Sequence, residues 1–122
     1  MTSYRPAGWP PAVHPPGTEE FDPSVVAWLL DVLPGGYRAQ TRVHRYPIGL
    51  AVIARHHAEA CLDGARDGYR SIRAELEGLL SPSEVEEVLA VYRTVGASYI
   101  ATARAVGLVV EALHREGFRP LP

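Results

Sequence analysis

The sequence predicts an all-α chain: a long antiparallel two-helix hairpin with one short N-terminal helix, completed into a helical bundle by dimerisation. Three observations carry this reading. Apolar residues recur at alternating spacings of three and four over two long stretches, 48–79 and 85–113, the pattern of helices with a packed seam. Ser81-Pro82-Ser83-Glu84 separates them with a capping box and a proline at the first helical position, so the chain stops and restarts there. The join is only a few residues long, which forces the two helices to fold back on each other.

The elements follow in order. Residues 1–21 contain Pro6, Pro10, Pro11, Pro15 and Pro16 around Trp9. Proline fixes φ and removes hydrogen-bond donors, so the segment is expected to be a flexible arm, serving as a tail, a strap over the subunit or a docking peptide. A single helical domain over 22–118 follows. Asp22 before Pro23 suggests an N-cap and first helical position for a helix over 23–33. That helix is apolar around nearly its whole circumference and must be buried. Pro34-Gly35-Gly36 ends it, and the basic loop 37–46 leads to a second helix over 47–80.

The seam of the second helix runs Ile48, Ala51, Arg55, Ala58, Leu62, Ala65, Tyr69, Ile72, Leu76, Leu79. That of the third, over 82–117, runs Val85, Val88, Tyr92, Val95, Tyr99, Thr102, Val106, Val109, Leu113. At 1.5 Å per residue each arm is about 50 Å long. The pairing register places Arg73 near Glu84 and Glu87, and Tyr69 near Tyr92. From residue 95 to 113 the other faces of the third helix carry Ile100, Ala101, Ala103, Ala105, Leu108, Val110 and Ala112. A helix apolar nearly all round has to be surrounded. The expectation is therefore a two-fold homodimer with its interface at the base and the hairpin tip projecting into solvent. Gly64, Gly68, Gly96 and Gly107 are expected where another helix crosses closely.

Composition narrows the function classes. The 122 residues suit one domain, and the 47 % apolar content suits a packed core. The net charge of −2 gives no global pull towards nucleic acid or an anionic membrane. All twelve basic residues are Arg, and Lys and Asn are absent. That points to a GC-rich bacterial genome, so Arg usage is weak evidence for phosphate binding. Cys61 is the sole cysteine, so no intramolecular disulfide or multi-cysteine zinc cluster is possible. The apolar stretch 95–110 is interrupted by Arg104 and is shorter than the roughly 20 residues of a membrane span. The reading is a cytoplasmic protein without a membrane segment.

Few residues suggest chemistry. In the basic loop, Arg38, Arg42, His44 and Arg45 stand between Tyr37 and Tyr46. Arg forks suit phosphates or carboxylates, and the aromatics can stack, so these residues form the candidate ligand-binding set, together with Arg55 in the second-helix seam. The competing reading is a solvated loop whose arginines pair with Glu19, Glu20 and Asp31. Arg55 can instead fix register or oligomer state.

The candidate metal ligands are His56, His57, Glu59, Cys61, Glu111 and His114. His57 and Cys61 are spaced i, i+4; His56 with Glu59 and Glu111 with His114 are spaced i, i+3. The last pair has the Glu-x-x-His spacing of di-iron bundles, but the hairpin register leaves it about a dozen residues from Glu59. No Gly-rich phosphate loop, helix-turn-helix or Ser/His/Asp arrangement is present in the sequence. The expected function is a non-catalytic, homodimeric interaction or regulatory module with no cofactor and a possible protein partner. A metal-binding, ferritin-like bundle and an anion or nucleic-acid binder acting through the loop are the alternatives, nucleic acid being disfavoured.

Overall fold

The computed structural model describes residues 5–117 and 119–122; the first four residues of the expected arm, and residue 118 at the expected domain end, lie outside them. The protein is all-α. Helices α1 (Phe21–Val32), α2 (Pro47–Leu76) and α3 (Pro82–Glu116) make up its regular structure, with two short 3₁₀ turns, Gly35–Ala39 and Thr41–Arg45, between α1 and α2. The contacts between α2 and α3 run in opposite senses along the two helices. Arg73 meets Glu86, Tyr69 meets Tyr92, and the Tyr92 hydroxyl donates to the Gly64 carbonyl at 3.1 Å.

Helix α2 ends at Leu76, four residues before the expected stop. Gly78 takes φ +83°, which L side chains rarely adopt, and the Leu79 and Leu80 amides turn back to the Leu76 carbonyl at 3.0 and 3.1 Å. The restart follows the sequence signal. Ser81 Oγ accepts from the Glu84 amide at 3.2 Å, and the Glu84 carboxylate accepts from the Ser81 amide at 2.8 Å. The Ser81 amide donating to the carboxylate, and after it the Ser81 hydroxyl, hold the Glu84 pKa below its ordinary value.

Of the three readings of the arm, the described residues take that of a strap packed on the core. From Arg5 onward it is a series of tight turns, not a loose tail. The amides of Trp9, Val13 and Thr18 bond back to the carbonyls of Pro6, Pro10 and Pro15. Each of those prolines opens a turn, a position where its missing donor is not needed. Trp9 and Val13 are buried in the core, Trp9 Nε1 donates to the Val13 carbonyl at 2.9 Å, and the indole stacks on Phe21 at 6.3 Å. Phe21 thereby becomes the first residue of α1, two before the expected start. Glu20 takes the cap position without a side-chain hydrogen bond, and Asp22 is not the N-cap. Pro23 sits in the first turn, where a helix tolerates it.

The core joins the arm (Trp9, Val13), α1 (Phe21, Val25, Leu29, Leu30, Leu33), the start of α2 (Leu50, Ala51, Ala54) and the end of α3 (Val106, Val109, Val110, Ala112, Leu113). Of the α3 residues expected to need a second subunit, Ile100 and Ala101 are exposed and Ala103 and Leu108 partly buried, while the rest, Ala105, Val110 and Ala112, are covered by the chain itself.

The seam is also rotated towards the tip. Val88 and Val95, expected to face α2, are exposed, whereas Leu89 is fully buried and Gly96 lies against Ala65. An α-helix drifts about 20° per heptad relative to a strict seven-residue repeat, so a pattern in phase at one end of α3 is out of phase at the other. Gly68 is required by close approach within the pair, because a methyl there would run into the Tyr92 hydroxyl. Gly64 and Gly107, by contrast, have no neighbour that a Cβ would meet.

Candidate interaction surface

The face of α3 that the core covers does not stop where the core stops. Leu113, Val109, Val106 and Thr102 recur at spacings of three and four, and the same row continues through Val95, Val91 and Val88. At the base this row belongs to the core shared with α1 and the arm. Helix α1, 12 residues long, ends beside it: Asp31 and Val32 line a cavity of about 260 Å³ with His57 and Cys61 of α2 and Tyr99 and Thr102 of α3. Beyond that cavity the row is bare. Val88, Val91 and Val95 are 41 %, 66 % and 46 % exposed, and Leu79 at the tip is 76 % exposed. The slot beside α2 and α3 that α1 fills at the base is therefore open along the tip half.

No charge interrupts this surface. Between Glu87 and Glu111 the only charged residues of α3 are Arg93 and Arg104, and their spacing from the valines places both towards a different edge. Arg93 donates to the Tyr69 hydroxyl at 2.8 Å, and Arg73 donates to the same oxygen at 3.4 Å. Both guanidiniums lie over the Tyr69 ring, 5.6 and 5.8 Å from its centroid. Arg73 also pairs with Glu86 at 2.8 Å, and these hydrogen bonds, Tyr69 before Glu86, raise its pKa further. The cluster pins α2 to α3 and leaves the valine face to solvent. By length and composition α3 is a candidate membrane span, with 28 % of its most apolar window buried.

The basic loop is partly occupied by contacts within the chain. Arg38 pairs with Asp31. The His44 ring is bonded through Nε2 to the Tyr37 carbonyl at 2.8 Å. Arg45 donates to the Leu121 carbonyl at 3.2 Å, accepts from the Leu121 amide at 2.7 Å and lies over Tyr46. Arg42 is exposed. Arg55, on α2, is half-buried and has no ion-pair partner among the described residues. The five candidates thus do not converge on one point: Arg38, His44 and Arg45 are engaged by neighbours and Arg55 is on a different element.

The metal candidates also divide. His57 Nε2 and Cys61 Sγ are 3.6 Å apart at the mouth of the cavity beside α1. His56 and Glu59 are exposed on α2, and Glu111 and His114 are exposed on α3. Among the described residues no three His, Cys, Asp or Glu side chains gather as a metal site.

The residues missed by reading the sequence are the valines themselves. Val88 and Val95 fit the heptad of the seam, and Val91 falls outside it. The available signal was the row's continuity with Val106, Val109 and Leu113. Comparison with protein-family models, curated proteins and solved structures found no match.

Proposed function

We propose that the protein is a non-catalytic, homodimeric helical interaction module whose working surface is the bare tip half of α3. The observation that supports it is the uncovered row Val88, Val91, Val95, which continues a face that is fully buried elsewhere in the same helix. Surface valines occur singly on most proteins, but a contiguous row next to an open slot marks an interaction site. The accessible surface of the chain adds to this. It measures 7894 Å², on the order of 1,000 Å² more than the roughly 6,500 Å² expected for a compact monomer of this mass. A standard interface removes about 800 Å² from each partner.

The surface suits a protein better than a bilayer. Thr94 and Ser98 are interleaved with the valines, and the adjoining α2 carries Arg66, Asp67 and Arg70, all exposed. The proposed setting is a bacterial cytoplasm, in which Cys61 stays reduced. Dimerisation makes the module, and a regulatory role follows from whatever the dimer exposes or covers.

Native mass spectrometry on protein purified without chelators tests the reading. A species at twice the 13.3 kDa chain mass without adducts is expected. A monomer across micromolar concentrations contradicts it. A stoichiometric metal adduct would replace it with the metal-binding alternative, through His57 and Cys61.

A further inference from the structure

Resting on the dimer reading, we infer that the open slot of each chain is filled by the tip half of the other. The partner lies antiparallel, so that α2 and α3 of both copies form a four-helix bundle with the two-fold axis beside Val91.

Length is the first argument. Helix α1 occupies the slot from the base as far as Asp31 and Val32, opposite Tyr99 and Thr102. From there α3 continues towards its start at Pro82, leaving roughly 25 Å of slot at 1.5 Å per residue. A second tip half is a helix pair of the same length. Laid in reverse, its end abuts α1 without displacing it. A deeper overlap, centred on Val95, would drive the partner into residues that α1 already covers.

Spacing is the second argument. An isologous interface requires one patch to complement itself. With the axis beside Val91, Val88 of one chain stands opposite Val95 of the other, and the two Val91 side chains lie next to each other at the centre. One crossing therefore covers all three valines of both chains.

Charge supplies the sense of the pairing. In the antiparallel arrangement Glu84 and Glu87 come opposite Tyr99 and Gly96, which carry no charge. In a parallel arrangement each would oppose its own copy, and like charges held opposite one another disfavour that pairing. Arg93 is turned to Tyr69 and does not enter the contact.

Cysteine cross-linking in a Cys61→Ser background tests this. Val91→Cys is expected to give a covalent dimer on mild oxidation. Val88→Cys alone is expected to give none, because the two copies would be about 10 Å apart along the axis. Mixing Val88→Cys chains with Val95→Cys chains should restore the cross-link. Cross-linking of Val88→Cys with itself would overturn the antiparallel arrangement. A dimer by mass in which Val91→Cys fails to cross-link would place the interface elsewhere and leave the dimer reading intact. A monomer by mass would remove both.

Discussion

The two ends of α3 are built from the same residue types and end in different surroundings. At the base, Val106, Val109 and Leu113 are enclosed by α1, α2 and the arm; at the tip, Val88, Val91 and Val95 of the same row meet solvent. The difference arises from what lies beside the helix pair. The base has 12 residues of α1 and three proline-opened turns of the arm with which to close the slot. The tip has only α2 on one side. A two-helix pair buries one stripe per helix, and a third layer is needed to bury a second. The chain supplies that layer for half its length.

This comparison orders the effects of mutation. The largest belongs to the base. Trp9→Ala removes an indole that packs on Phe21 and holds the Val13 carbonyl, and a loss of about 3–5 kcal/mol in urea denaturation is expected. A near-neutral result would mean that the arm does not belong to the folding unit.

Leu89→Ala removes the fully buried side chain that faces α2 near the tip. A loss of roughly 2–4 kcal/mol is expected. Val88→Ala, one residue away, should change the stability of the monomer by less than about 0.5 kcal/mol. Equal effects of the two would restore the heptad register with Val88 in the seam.

Gly68→Ala should destabilise by about 1–3 kcal/mol through overpacking against Tyr92. Gly64→Ala, where a Cβ meets nothing within 4 Å, should be stabilising by a few tenths of a kcal/mol to about 1 kcal/mol. Circular dichroism melting of the pair checks both signs.

The smallest effect is at the restart of α3. Ser81→Ala should lose about 1 kcal/mol at neutral pH. The sign of its pH dependence follows from Glu84. Its folded pKa lies below the ordinary 4.5, so its contribution is present above that value and is lost as pH falls through the depressed one. Ser81→Ala keeps the Ser81 amide donor, so only the smaller hydroxyl share enters the difference, which should narrow slightly in denaturation curves as pH falls below 4.5. A difference that grows in acid would contradict the hydrogen-bond account of the cap.

The helical class and the break at Ser81 were legible because both are local. A capping box is contained in four residues, and a three-four spacing needs no partner to be recognised. The core role of Trp9 and Val13 was not legible, because proline-rich composition suggests a tail until the fold brings a hydrophobic surface beneath it. Helix propensity and periodicity locate α3 but not the angle at which it faces α2. That angle decides whether Val88 or Leu89 is inside, and it depends on drift accumulated over the whole helix. Of the candidate ligands, Arg38 and Arg45 were recognisable as a basic cluster. Asp31 stands among the partners expected for those arginines, so the Arg38 pair was legible as well; the engagement of Arg45 by Leu121, 76 residues away, depends on the fold.

Amide hydrogen exchange, followed as a function of protein concentration, tests the contrast between the two halves most directly. The account predicts that protection of residues 104–113 is independent of concentration, since the chain closes its own base. Protection of residues 86–98 should rise with concentration as the tip halves pair. Protection that stays constant in both halves from dilute to concentrated solution would contradict it, because the valine face would then have no second copy to cover it.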